Sequence, residues 1–113
     1  MGAPIELKFH IKAFSKETLP LSRLGQYLFE LGVLLGEQGS VHFERLEGGS
    51  VSPVARVDAE AAPKVLQRAH AVRSGEGPTE ARRAKEKIEK FLLEDNAESA
   101  DLVHEGEGAR ILQ

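Results

Sequence analysis

The 113-residue chain contains no cysteine and no tryptophan. Without thiols there is no disulfide, no thiolate metal site and no cysteine nucleophile, and the composition fits a reducing compartment. Long hydrophobic runs are also missing. The most apolar region, residues 19–35, is broken by Ser22, Arg23, Gln26 and Glu30, which makes it too polar to span a bilayer. The opening MGAPIELKFHIKAF has no basic stretch followed by a long apolar one and is not read as a signal peptide. A cytoplasmic protein without membrane contact is the expectation.

The motifs of several large enzyme classes are absent too. Gly48-Gly49-Ser50 is the one candidate for a phosphate loop. Such a loop needs more glycines, a following Lys, and a helix whose N-terminus holds the anion. Here β-type residues follow the glycines, so the segment reads as a turn. No serine stands in a Gly-x-Ser-x-Gly elbow, and no histidines stand at His-x-x-x-His spacing. No metal and no cofactor is expected, and the chain is read as a non-enzyme. Neither an internal repeat nor a low-complexity tract occurs.

What is present organises into one domain's worth of chain. Residues 4–14 alternate: Ile5, Leu7, Phe9, Ile11 and Ala13 share one parity, and Glu6, Lys8, His10 and Lys12 share the other. Period-two alternation predicts a strand with one wet face. A helix follows, with Thr18 as its cap and Pro20 in its first turn. Leu21, Leu24, Leu28, Leu31 and Leu35 repeat at helical spacing, and Tyr27 and Leu34 widen the stripe. Gly36 is placed to stop the helix. Gly25 and Gly32 lie on its flank, with Phe29 and Val33 beyond them. Glycine in a helix interior costs roughly 1 kcal/mol relative to alanine, so these two are expected to admit a close second backbone. Another helix of the same chain is the preferred occupant, and a partner subunit is the alternative. Gly25, Phe29, Gly32 and Val33 are therefore candidate interface residues.

VHFERLEGGSVSPVARV, residues 41–57, reads as a β-hairpin. A three-residue loop, Glu47 to Gly49, pairs Phe43 with Pro53, Val41 with Ala55 and Arg45 with Val51. That register separates an apolar face from a polar one carrying His42, Glu44, Ser52 and Arg56. Pro53 cannot donate to a ladder and points to an edge strand. If the first strand joins this sheet, His10 adds to His42, Glu44 and Arg56 on one open face. These four are the candidate binding residues, either for acid–base chemistry or a metal or as an ordinary solvated sheet face.

Asp58 offers a cap for a second helix carrying Ala62, Val65, Leu66, Ala69 and Val72, with Pro63 at its start. Ser74-Gly75-Glu76-Gly77-Pro78 breaks the chain. Thr79 is placed to cap a third helix bearing Ala81, Ala84, Ile88, Phe91 and Leu92. Residues 64–90 carry eight Lys/Arg against four Asp/Glu, whereas residues 91–113 carry one against six. The basic helices nominate Lys64, Arg68, Arg73, Arg82, Arg83, Lys85, Lys87 and Lys90 for nucleic-acid phosphates. Against this, Glu80, Glu86 and Glu89 are interleaved, and the open sheet face lacks stacking aromatics. Residues 1–96 are expected to form the domain, and 97–113 an acidic flexible tail or linker in which only Ala109 to Leu112 could be a strand.

Strand, helix, two strands and two helices do not alternate as in a doubly wound sheet. An antiparallel α+β two-layer sandwich is the expected fold class, with a ferredoxin-like β-α-β-β-α-β arrangement as one option.

The runs LPLSRLGQYLFELGVLLG, SVHFERLEGGSV and AAPKVLQRA resemble the N-terminal part of a family of uncharacterised bacterial or phage-associated proteins. The resemblance covers about residues 5–95. It implies that Gln113 ends a piece of a longer protein, and it carries no assigned chemistry and no site residues. Together these readings favour a non-enzymatic interaction or scaffold domain, with a protein partner or self-association. A nucleic-acid module is the alternative.

Overall fold

Among the described residues five strands form one open antiparallel sheet in the order β2-β3-β1-β4-β5. The computed structural model describes residues 3–13, 21–47, 52–95, 97–104 and 107–110. Along the chain these give β1 (Ile5–Ala13), α1 (Leu21–Leu35), a 3-10 turn at Gln38–Ser40, β2 (Val41–Glu47), β3 (Ser52–Val57), α2 (Ala62–Arg73), α3 (Thr79–Glu94), β4 (Ala97–His104) and β5 (Glu107–Arg110). No helix among the described residues is long and apolar enough to cross a membrane.

The fold is α+β in two layers, as the element order implied. A helical crossover from β1 through α1 leaves β2 parallel to β1, and β3 fits between them antiparallel to both. The pair α2–α3 makes the second crossover, returning the chain to β4 on the other side of β1. This is the ferredoxin-like order for the first four strands, extended by β5. The alternation in β1 is what makes it the central strand. Leu7, Phe9 and Ile11 are buried beneath the helices. Their neighbours are set by register, Leu7↔Ala55 on one side, Phe9↔Leu102 and Ile11↔Ala100 on the other. Tyr27, Leu31, Leu34 and Leu35 of α1, Val65 and Val72 of α2, and Ile88 of α3 close one continuous core.

Residues 97–104 are not a tail. β4 pairs with β1 and buries Ala100 and Leu102. The strand was hidden by its composition, since Asp, Glu and Ala are depleted in strands. Its place is held by the ladder to β1. The last described strand ends at Arg110, and residues 111 and 112 of the expected 109–112 strand lie outside the described residues.

The hairpin also differs from expectation. Val41↔Val57, His42↔Arg56 and Phe43↔Ala55 are paired, then the register shifts to Arg45↔Val54, Leu46↔Pro53 and Glu47↔Ser52. Glu44 is the extra residue of a bulge; the expected Glu47–Gly49 loop falls largely on residues 48–51, which lie outside the described residues. β3 is held on its second side by β1 through Ile5↔Val57 and Leu7↔Ala55, so its inward parity is set by that ladder and the bulge absorbs the mismatch. β3 is consequently an interior strand. Pro53 is tolerated because it lies just past Lys8↔Val54, the last β1–β3 pair.

Helix boundaries show similar substitutions of role. Gly36 ends α1 with φ +69, as its position implied. Pro63 stands in the first turn of α2, but the residue before the helix is Ala61, and no side chain caps it. Asp58 instead accepts the Ala61 and Ala62 N–H groups with its main-chain carbonyl at 3.0 Å. Pro78, not Thr79, precedes α3. At Gly77 (φ +94) an added Cβ would lie 3.1 Å from Val72 Cγ2, so the 74–78 break requires glycine there. Thr18 and Pro20 lie outside the described residues.

Candidate interaction groove

α1 carries two charged side chains, Arg23 and Glu30, and both turn toward α3. Arg23 Nη2 is 2.9 Å from Glu94 Oε2, and its Nε is 3.2 Å from Asp95 Oδ2. Its guanidinium sits 4.6 Å over the Phe91 ring, a cation–π contact. Phe91 meets Tyr27 edge to face at 5.5 Å. The Tyr27 hydroxyl donates to Asp95 Oδ2 at 2.8 Å. Burial first, and then this hydrogen bond, raise the Tyr27 pKa well above its ordinary value. α1 and α3 are thus clamped at one end by a closed polar-aromatic cluster.

The outward surface of α1 is left without charge. Phe29 is 68% exposed. Around Gly25 and Gly32 an added Cβ would meet nothing within 4 Å. The expectation that these glycines admit another helix of the same chain is therefore wrong: α1 packs on α3 and α2 through other residues. Phe29 stands between two shallow depressions of about 290 and 550 Å³ along the α1–α3 seam. Val33, Arg83 and Ala84 line the first, Gly25, Gln26, Lys90 and Phe91 the second, and Phe29, Glu30 and Lys87 both. Three of the four candidate interface residues, Gly25, Phe29 and Val33, line this groove, and Gly32 lies on the same outer side of the helix.

Glu30 is the residue that inspection of the sequence passed over. It is 5% exposed. Lys87 Nζ lies 3.7 Å from its Oε1, and its Oε2 has no hydrogen-bond partner among the described residues. A buried carboxylate oxygen left unanswered is costly. The signal was available, because Glu30 falls beside Tyr27 and Leu34 on the helix and so at the margin of the apolar stripe.

The open sheet face brings together three of its four candidates and separates the fourth. Arg56 Nε donates to Glu44 Oε1 at 2.7 Å and Arg56 Nη1 to Asp58 Oδ1 at 2.8 Å. His42 Nε2 lies 3.5 Å from Asp58 Oδ2. Asp58, expected to cap α2, belongs to this cluster instead. His10 is elsewhere, with Nδ1 2.8 Å from Ser52 Oγ. It lies across β3 from His42 and four residues away along that strand, about 13 Å at the usual rise. The two imidazoles do not converge, and no group of His, Asp and Glu among the described residues could hold a metal. On the same face Arg45 is paired bidentately to Glu6 at 2.9 and 3.1 Å. The arrangement is a ladder of surface ion pairs. The Lys12 side chain lies outside the described residues.

The basic helices are partly committed to the fold. Arg68 Nε and Nη2 donate to the Leu34 and Val33 carbonyls at 2.8 and 2.9 Å, closing the C-terminus of α1, which corrects its assignment to phosphate. Lys87 faces Glu30, and Lys85 approaches Glu89 at 3.8 Å. Lys64, Arg73, Arg82 and Arg83 remain exposed.

No family model matches this chain, and no curated protein or solved structure matches it.

Proposed function

We propose that the chain is a non-enzymatic protein-interaction domain that docks an apolar helical segment along the α1–α3 groove. The single observation that carries this reading is the outer side of α1, where Phe29 stands exposed and uncharged among Gly25, Gly32 and Val33. A large apolar side chain left exposed on an uncharged helix surface marks an interaction surface, and a ridge of this kind beside a groove suits helix-in-groove recognition. The missing thiols accord with a cytoplasmic setting.

The test is selection of helical peptides against the wild-type domain. Binders in the micromolar range that lose at least about tenfold on Phe29→Asp, but not on Lys64→Glu, support the reading. Binders indifferent to Phe29→Asp, or none, overturn it. The competing reading, phosphate binding by Lys64, Arg73, Arg82 and Arg83, is checked by titration with random DNA and RNA. Affinity that falls steeply with salt and with Arg82→Ala would favour it.

A further inference from the structure

We propose that the segment held in the groove is an acidic amphipathic helix of another protein. It is apolar along the edge that meets Phe29 and carries carboxylates along the edge that meets α3. The inference rests on the docking reading and adds the chemistry of the partner. Charge decides it, because the two walls of the groove differ. The α1 wall presents Gly25, Gln26, Phe29 and Val33, none of them charged, and its one carboxylate, Glu30, is buried. The α3 wall presents Arg83, Lys87 and Lys90. These stand at i, i+4 and i+7, so they form one row along the helix, about 10.5 Å long at the usual rise.

The row is open to a partner. Arg83 and Lys90 are exposed and make no ion pair among the described residues. Lys87 Nζ lies 3.7 Å from Glu30 Oε1, but its side chain is 62% exposed, and an ammonium has three donors. The carboxylates on the same flank of α3 are answered from within the fold. Glu80 Oε1 is 3.8 Å from Arg68 Nη2, and Glu94 Oε2 is 2.9 Å from Arg23 Nη2. The middle of the rim therefore keeps two unmatched positive charges, Arg83 and Lys90, beside an apolar ridge. A helix lying along the seam with carboxylates at i, i+4 and i+7 matches the row. Val33 and Gly25 stand four residues to either side of Phe29 and mark the two depressions, so apolar side chains seven residues apart on the docked helix bracket the ridge. Complementary rim charge sets the choice of partner and its orientation. A basic helix would be repelled by the same row. Phosphates would answer the cations but not the apolar surface of Phe29 and Val33 beside them.

The experiment uses three synthetic helices of about 18 residues, long enough to hold helical structure. They share one edge of leucines and differ only in carrying Glu, Gln or Lys at the positions flanking it. Each is titrated into the wild-type domain at low and at high salt. The Glu helix should bind at least about tenfold tighter than the Lys helix at low salt, and the ratio should shrink at least about threefold at high salt, because rim charges are screened. The double variant Arg83→Glu, Lys90→Glu should abolish or reverse that order with its melting temperature unchanged, since neither side chain is paired within the fold. No preference for the Glu helix, or a preference that survives the double variant, overturns the proposal. If all three helices bind equally and weaken on Phe29→Asp, the docking reading stands and only the acidic partner falls. If none binds, both fall. A wild-type dimer in sedimentation that Phe29→Asp dissociates would assign the groove to a second copy. Single-stranded DNA binding that the double variant loses, without any helix binding, would assign the row to phosphates. Either result overturns the proposal.

Discussion

The Tyr27 hydroxyl donates to Asp95 Oδ2 at 2.8 Å, and Arg23 Nε meets the same oxygen at 3.2 Å. One carboxylate at the end of α3 therefore holds two groups of α1, one of them on a side chain that is fully buried. The Tyr27 contact joins the first half of α1 to the end of α3, across a sequence separation of 68 residues.

Tyr27→Phe should cost about 1.5–3 kcal/mol, the usual worth of a hydrogen bond to a charged acceptor. The tyrosine pKa is higher in the folded chain than in the unfolded one. The native state therefore holds the proton when the unfolded state has lost it. The contribution is complete below about pH 10 and declines as pH rises above that value. Urea denaturation across pH 8–11 checks this, because the difference between wild type and Tyr27→Phe should shrink at the alkaline end.

Arg68→Ala should destabilise the domain by about 2 kcal/mol, since it leaves the Leu34 and Val33 carbonyls unanswered at the end of α1. Arg68→Lys should recover less than half, because an ammonium lacks the planar fork that serves two carbonyls. Gly36→Ala should fail similarly: its φ is +69, and an added Cβ would lie 3.0 Å from the Arg68 guanidinium. Thermal melts of the three variants are the check.

Glu30 and Lys87 should respond in opposite senses. Glu30→Met removes a buried charge with one unanswered oxygen and should leave stability unchanged or raise it by about 1 kcal/mol. Lys87→Met strands that charge and should lower stability by about 1 kcal/mol. Equal losses from both, measured by chemical denaturation, would mean that the pair is a net structural contact.

Gly25→Ala and Gly32→Ala should each stabilise the isolated domain by about 0.5–1 kcal/mol, because alanine is the better helix former and its Cβ meets nothing within 4 Å. Denaturation at low protein concentration measures the fold alone.

The open face should prove structurally modest. His42 and Asp58 are about 40% exposed in their side chains, and such pairs contribute at most about 1 kcal/mol. His10→Ala and His42→Ala should each shift stability by less than that, and added zinc should leave the melting temperature unchanged.

Much of the fold was readable along the chain. β1 alternates so cleanly that its buried and wet faces could be assigned residue by residue, and the leucine repeat marked α1. β4 was not readable, because Ala100 and Leu102 are two apolar residues in an acidic segment and become a strand only by pairing with β1. The hairpin register was misjudged for a related reason. Segregating apolar residues within two strands cannot reveal that β3 has a second neighbour, whose ladder outranks the loop. At the groove, the sequence marked Gly25, Phe29, Gly32 and Val33, but it attributed the glycines to internal packing.

The sequence by itself determined the fold class, the inward faces of β1 and the three helices, and the exclusion of thiol chemistry. These follow from local periodicity and from residue identity, which need no distant partner. Tertiary structure alone decided that His10 and His42 stay apart, that Arg68 belongs to the end of α1, and that Glu30 keeps a carboxylate oxygen without a donor among the described residues. Each of these depends on which strand or helix lies alongside, and that is set by burying one continuous core among elements far apart in the chain.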